Sequence, residues 1–307
     1  MKNIFPLKPV YKTEKGICYA GSSEYMLEND SINKYKHQVD LIFTSPPFPL
    51  NNTKAYGNHK GLEYIDWLGS FAKLFRKMIS PSGSIVIEIG NSWEPNIPAM
   101  STVSIEALLE FKRAGDFYLC QEFIWNNTSK LPSPITWVNI DRVRVKDSFT
   151  KIWWFSKSHN PKACNKNVLN EYSEGMKKLL KTKKYNSGRR PSEHYIGKNG
   201  FLKDNGGSIP SNVLSISNTI SNDPYLTYCS ENEIRQHPAR MPPGLAKFFI
   251  RFLTDEGDLV MDPFAGSNVT GAVAEELDRR WLAIEKKEEY AIASKARFNE
   301  YNRFYNW

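Results

Sequence analysis

Leu259-Val260-Met261-Asp262-Pro263-Phe264-Ala265-Gly266-Ser267-Asn268 is the stretch that decides the fold of this 307-residue chain. Leu259–Met261 reads as a buried strand, the next residues as a rigid polar turn, and Val269 to Leu277 as a helix. A second turn of the same kind lies far upstream: the apolar run Val39-Asp40-Leu41-Ile42-Phe43 ends in Thr44-Ser45-Pro46-Pro47-Phe48. Open α/β sheets bind ligands outside the carboxyl ends of their strands. The chain therefore offers two candidate sites on one sheet.

Around these turns the pattern alternates. Further strands are expected at Ile17–Ala20, Ser84–Glu88, Tyr118–Trp125, Lys151–Ser156 and Trp281–Glu285. Between them, Tyr64–Met78 carries a helical stripe (Ile65, Leu68, Phe71, Ala72, Leu74, Phe75) that Pro81 and Gly83 terminate. Ser101–Lys112, a segment opened by Pro242-Pro243, and Glu288 to about Asn299 are expected to be helical. Strands alternating with helices argue an α/β fold with a mostly parallel sheet covered on both faces. From about His159 to Asp223 this order breaks down into Gly, Ser, Asn and Lys. Lys166, Lys177, Lys178, Lys181, Lys183, Lys184, Arg189 and Arg190 concentrate positive charge there, interleaved with Tyr172, Tyr185 and Tyr195. Such a segment is either a solvated linker or a surface that tracks a phosphate backbone.

The composition, 40% hydrophobic and 24% charged with a net charge of +8, is that of an ordinary globular protein with a leaning toward polyanions. No apolar run approaches the ~20 residues of a membrane span. Met1-Lys2-Asn3-Ile4-Phe5-Pro6 has no apolar signal core, so export is not expected. Cys18, Cys120, Cys164 and Cys229 lie far apart, which suggests neither a zinc site nor a disulfide scaffold. A reducing cytoplasm and no metal are the expectations.

Gly266 lets backbone and ligand approach closely, and amides at the following helix start favour electron-rich groups. One helix later, Glu285 ends the strand Trp281-Leu282-Ala283-Ile284, where an acid can accept from both ribose hydroxyls. Pro263 and the lack of three spaced glycines leave no cradle for a pyrophosphate. A nucleoside cofactor without phosphate, S-adenosylmethionine, fits better. Ser45-Pro46-Pro47-Phe48 suits methylation of an exocyclic amine. A Ser45 oxygen and the Pro46 carbonyl can accept both N–H bonds, aiming the nitrogen lone pair at a methyl sulfonium. The prolines stiffen the turn, and Phe48 offers a face for stacking, worth ~1–3 kcal/mol per base. A base inside a duplex must first be rotated out.

On these residues the chain resembles the cytosine-N4-specific, amino-methylating DNA methyltransferases of restriction–modification systems. Thr44–Phe48 is similar to that family's catalytic motif, where the adenine-N6 enzymes more often carry Asp or Asn in place of Ser45. Asp262–Thr270 is similar to its cofactor loop, Arg280–Glu285 to its ribose-binding strand, and His237-Pro238-Ala239-Arg240-Met241-Pro242 to the segment that closes over the methionine end of the cofactor. Gly188–Ser192, Asp204–Leu214, Asn218-Thr219 and Ser221–Leu226 match recurring stretches too. In the family, a catalytic motif preceding the cofactor loop, with target recognition between them, is the β arrangement.

The resemblance implies a Rossmann-like S-adenosylmethionine-dependent methyltransferase sheet, circularly permuted, with an inserted irregular target-recognition region. It implies a catalytic half at residues 1–158, target recognition at 159–230 and a cofactor half at 231–307. Catalysis falls to Ser45, Pro46, Pro47 and Phe48. The cofactor falls to Asp262, Phe264, Ala265, Gly266, Ser267, Asn268, Glu285, His237, Pro238 and Ala239, and duplex DNA to Arg189, Arg190, Lys183 and Lys184. A bacterial or archaeal cytoplasm with association to the nucleoid, and a cognate restriction endonuclease acting separately, belong to the same expectation. Two positions depart from the family: Asn268-Val269 replaces Gly-Thr, and Ser22 stands where an acid is common, with Glu24 nearby. Gly90-Asn91-Ser92 resembles a further active-site turn. Adenine-N6 methylation, methylation of a glutamine side chain or RNA base, and a non-catalytic DNA-binding relative are the competing readings.

Overall fold

The computed structural model describes residues 8–28, 30–50, 57–220 and 223–298. Met1–Pro6, Ser221, Asn222 and Asn299, singled out above, lie outside the described residues. A nine-stranded sheet forms the larger of two compact units. Its strands are β1 (Tyr11–Lys12), β2 (Gly16–Ala20), β3 (Val39–Thr44), β4 (Ile79–Gly90), β5 (Tyr118–Asn126), β6 (Phe149–Ser156), β7 (Val213–Ser215), β8 (Leu259–Asp262) and β9 (Arg280–Glu285). They lie in the order β1-β2-β9-β8-β3-β4-β6-β5-β7. The stretch β2-β9-β8-β3-β4 is parallel throughout. At one end β6 runs antiparallel to both β4 and β5. The expectation of a mostly parallel sheet therefore holds for the centre and not for that edge. There Asn126 pairs directly with Phe149, so residues 127–148 form the excursion of a hairpin, not a crossover.

Side chains alternate across the sheet. Ile85, Ile87 and Ile89 of β4 join one core and Val86 the other. Among the described residues, eight α-helices accompany the strands: α1 (Ser23–Glu28), α2 (Gly61–Met78), α3 (Val103–Gly115), α4 (Glu174–Thr182), α5 (Pro224–Glu231), α6 (Pro243–Leu253), α7 (Val269–Glu276) and α8 (Glu288–Ser294). The α2 stripe Tyr64, Leu68, Phe71, Phe75 packs with α3 residues Leu108 and Phe111 on the first face. On the second, α6 places Leu245, Phe249 and Leu253 with Phe43 and Trp281. α2 stops at Met78 as expected, but Pro81 and Gly83 then belong to β4. The β3–β4 register jumps from Val39↔Ile79 to Leu41↔Ser84, and this bulge absorbs Ser80–Gly83, the place where a strand tolerates proline.

The second unit, Cys164–Ser211, is narrower than the region 159–230 expected. Val213–Ser215 pairs with β5, and α5 packs on α8, so both belong to the larger unit. Within Cys164–Ser211, α4 is capped by the Ser173 side chain, and Gly188–Arg189 pairs with Tyr195–Ile196 as a two-stranded hairpin. Tyr185 meets Phe201 edge-on at 5.5 Å. The segment is thus ordered by local caps and one aromatic contact, signals too short for sequence periodicity to reveal.

Between neighbouring strands β3 and β8 sits a buried carboxylate. Asp262 Oδ1 accepts from the Thr44 hydroxyl (2.7 Å) and the Phe264 amide (3.1 Å), and Oδ2 accepts from the Thr270 hydroxyl (2.7 Å). Burial pushes its carboxyl up to about 6, against those three hydrogen bonds. A carboxyl whose folded value lies above its unfolded one binds protons more readily in the folded state, so stability falls as pH rises from about 4 to about 6. Asp262→Asn can keep the acceptor oxygen and donate to Thr270 without that penalty. Urea unfolding of the two proteins should show the variant gaining on the order of 1–3 kcal/mol relative to the parent between pH 4 and pH 7; a pH-independent difference would contradict the assignment.

Candidate active site

The carboxyl ends of β9, β8, β3 and β4 surround one cavity of about 920 Å³ in the larger unit. Single small-molecule sites span roughly 300–1,000 Å³, so there is room for a nucleoside and a base together. Adjacent register explains the convergence: Val260 pairs with Leu41 and Thr44 with Ile87, which brings the turns after β8 and β3 and the end of β4 side by side. Ser45, Pro46, Pro47 and Phe48 line this cavity, as do Asp262, Phe264, Ala265, Gly266, Ser267, Glu285, His237, Pro238 and Ala239.

In the half below β8 and β9, the Glu285 carboxylate accepts from the Gly266 amide (2.7 Å) and the Lys287 amide (2.8 Å). Burial raises its pKa, opposed by these two amides. Gly266 has φ +53°, which favours glycine, and a Cβ there would stand 3.1 Å from His237 Cε1 and crowd that ring. His237 is held by its own amide, which donates to Tyr225 Oη (2.9 Å), and by an edge-on contact with Tyr290 at 5.0 Å. Burial lowers its ring to about 4, so it is neutral at pH 7. Phe264 packs on Phe71 and Trp67 at 5.1 and 5.5 Å. Behind the loop, buried Arg297 donates to the Ser267 carbonyl (2.6 Å) and forms a two-pronged ion pair with Asp223 (2.8 and 2.9 Å).

Glu24 also lines this half and accepts from the Trp67 indole (2.8 Å) and from Ser22. Burial opposes ionisation, but those hydrogen bonds outweigh it and hold the carboxyl below its usual range. With Glu24 and Glu285 together, this part of the cavity favours a cationic, phosphate-free nucleoside over a pyrophosphate. Glu24 thus brings an acid to the region where Ser22 departs from the family.

In the half around β3 and β4, the Ser45 hydroxyl donates to Glu88 Oε2. Glu88 is buried, and desolvation raises its pKa against the Ser45 and Thr150 hydroxyls and the charge of Lys130. Glu88 Oε1, Thr150 Oγ1 and Ser92 Oγ are buried without a hydrogen bond of normal geometry, so this wall is polar and incompletely satisfied. Phe48 lies against Gly90, where a Cβ would stand 2.5 Å from the ring. Asn91 donates to Asp147 (2.8 Å) and accepts from Lys151, whose pKa burial lowers, opposed by Asp147 and Glu122. Trp93 and Trp137 pair at 5.3 Å on the same wall.

Asn268 alone among the expected cofactor residues is absent from the cavity lining. It is fully buried, adopts φ +53° and caps α7 by accepting from Gly271 N (3.1 Å), while donating to Tyr11 Oη (2.9 Å). Asparagine tolerates this left-handed conformation, which is why it can stand where relatives carry glycine. Lys183, Lys184, Arg189 and Arg190 are all exposed in Cys164–Ser211, with Arg189 only loosely paired to Glu193 at 3.8 Å. Sequence reasoning missed Glu88, Trp67, Trp93 and Trp137 as cavity residues, and Lys151 as the partner of Asn91 behind them. Glu88 carried a signal, an acid among the apolar residues of the strand beside Ser45's own; the tryptophans carried none.

The model of the DNA methylase family matches residues 39–296. The type II methyltransferase M.PvuII of Proteus hauseri is 46% identical over 97% of this chain and 88% of its own length. The solved PvuII DNA methyltransferase (cytosine-N4-specific) covers 97% of this chain and 91% of that one, at 40% identity and TM-score 0.77. M1.HpyAVI, solved as a complex with SAM, shares the fold at 20% identity and TM-score 0.54, covering 92% of this chain and 98% of that one. With its sheet, its paired strand-end turns and a family match running through both, this chain belongs to the DNA methylase family.

Proposed function

We propose that the chain transfers a methyl group from S-adenosylmethionine to the N4 amino group of cytosine within a short duplex DNA sequence. The observation that carries this reading is one cavity fed by both turns, with Ser45 and Glu88 on one wall and Gly266 and Glu285 on the other. S-adenosylmethionine, when bound, supplies an electrophilic methyl on a sulfonium. The donor set suits it: Glu285 for ribose hydroxyls, Phe264 for the adenine, and acidic surroundings for a cation.

Ser45 and the Pro46 carbonyl are the acceptors for the two amino hydrogens, and Phe48 is the stacking face. Because the Ser45 hydroxyl donates to Glu88, its oxygen lone pairs are left for the incoming amine. A desolvated carboxyl with a raised pKa is suited to take the proton that the methylated nitrogen gives up, through Ser45. Cytosine is favoured over adenine by Ser45 in the catalytic turn and by the 46% identity to M.PvuII. The catalytic turn precedes the cofactor loop in the chain, which supports a circularly permuted methyltransferase fold with halves at 1–158 and 231–307 around target recognition in 159–230, carried there by the separate unit Cys164–Ser211. Duplex DNA is the partner, with Lys183, Lys184, Arg189 and Arg190 on its phosphates. We also propose a role in restriction–modification, beside a separate cognate endonuclease. No helix among the described residues is long and apolar enough to cross a membrane.

Mass spectrometry of nucleosides from an expressing host's DNA should show N4-methylcytosine; N6-methyladenine alone would establish the adenine reading instead. Ser45→Ala, Phe48→Ala and Glu88→Gln should each lower kcat by about 10²-fold or more while retaining cofactor affinity. Full activity in all three would remove the assigned roles. Arg189→Ala or Arg190→Ala should weaken DNA binding and reduce the salt slope by about 1 each; unchanged affinity across a salt series would make Cys164–Ser211 a spacer.

A further inference from the structure

The hairpin excursion between β5 and β6, residues 127–148, is the part of the larger unit that the reading above leaves unused. Its base is closed by the Asn127 amide on Ser148 O (2.9 Å), the Asp147 amide on Ser133 O (3.0 Å) and the Lys130–Asp147 ion pair (3.3 Å). Asn91 ties the same Asp147 to the end of β4 (2.8 Å), and Arg144 Nε reaches the Pro98 carbonyl (2.9 Å). The arm is therefore a braced element and not a slack loop.

The arm reaches the cavity, which Lys130, Ser133, Pro134 and Trp137 help to line. The same short arm exposes large aliphatics to solvent: Leu131 (80% exposed), Ile135 (64%), Ile140 (69%), Val143 (51%) and Val145 (87%). A monomer has no energetic reason to concentrate large aliphatic side chains in one surface stretch, so the cluster marks a contact. Its chemistry names the partner. Arg142-Val143-Arg144-Val145-Lys146 alternates cations with aliphatics, all exposed, and of the arm's two acids Asp147 is already matched by Lys130. That combination suits a surface with phosphates at its edge and apolar faces within, a duplex whose stack has been opened.

Position supports the same partner. A rotated-out nucleotide remains bonded to its two neighbours, so the rim of the pocket that receives it must lie against the gap it leaves. Leu131 and Ile135, both exposed, flank in sequence the lining residues Ser133 and Pro134. We propose that this arm is a second DNA-contact element, whose Leu131 and Ile135 occupy the space vacated by the extruded cytosine while Arg142 and Lys146 hold the flanking phosphates. The proposal rests on the DNA-cytosine reading of the cavity. Apolar wedges of this kind offset the unstacking cost of a few kcal/mol, a cost that is smallest where the base is already unpaired.

The test uses the full chain and duplexes carrying the site mapped in an expressing host, with the target cytosine either paired or opposite an abasic position. Leu131→Ala/Ile135→Ala should lose about 10-fold or more in kcat/KM on the paired duplex and several-fold less on the unpaired one. Arg142→Ala/Lys146→Ala should lose affinity for both duplexes alike, with a salt slope lower by about 1 per cation removed. Equal losses of the aliphatic variant on the two duplexes, or none on either, would overturn the wedge. So would sedimentation showing a wild-type dimer that the aliphatic variant converts to monomer, because the patch would then be a self-association surface. A wild type that methylates neither duplex would instead remove the cytosine reading itself, which separates the two failures.

Discussion

Everything at the active site depends on the carboxylate of Asp262, which bridges the ends of two adjacent parallel strands. Its oxygens take the Thr44 hydroxyl from one strand and the Thr270 hydroxyl and Phe264 amide from the turn and helix that follow the other. One buried group therefore sets the spacing between the turn that faces the amine and the turn that faces the cofactor. Methyl transfer by direct displacement demands such a constraint, because the reacting atoms must be held about 3–3.5 Å apart and in line. The carboxylate supplies an acceptor on each oxygen, which the bridge between the two strand ends requires. It also carries the desolvation cost reflected in its raised pKa.

The same economy of buried polar groups runs through the rest of the cavity. Glu285 fixes the Gly266 amide, Arg297 fixes the Ser267 carbonyl, and Glu88 fixes the direction of the Ser45 hydroxyl. Each holds a polar group of a residue that lines the cavity, so these groups are oriented before any ligand arrives. Glu24 and Glu285 set two acids on the cofactor side, and Arg142, Arg144 and Lys146 put exposed cations on the arm beyond the cavity lining.

The fold and both turns were legible because they rest on local signals: apolar runs ending in proline-rich or glycine-bearing turns, and helical stripes such as Leu68-Phe71-Phe75. The bulge that carries Pro81 into β4 was not legible, since the register of a parallel pair is decided by a strand distant in sequence. Sequence gives no side-chain direction, so it did not show that Tyr11 and Gly271 hold the Asn268 side chain inside the core and away from the cavity. Glu88 and the tryptophans Trp93 and Trp137 reach the cavity only through sheet order and the β5–β6 hairpin. The charged arm escaped notice for a different reason. The lysine-rich segment after His159 has the greater charge density, and density alone does not show which cations flank the pocket.

A crystal structure of the chain with a target duplex and a non-reactive S-adenosylmethionine analogue tests the central claim most directly. The account predicts an extruded cytosine with its amino group on Ser45 and the Pro46 carbonyl. The analogue should lie between Phe264 and Glu285, its methyl position within about 3–3.5 Å of N4. A cytosine left stacked in the duplex, or an analogue bound away from Gly266 and Glu285, would contradict it.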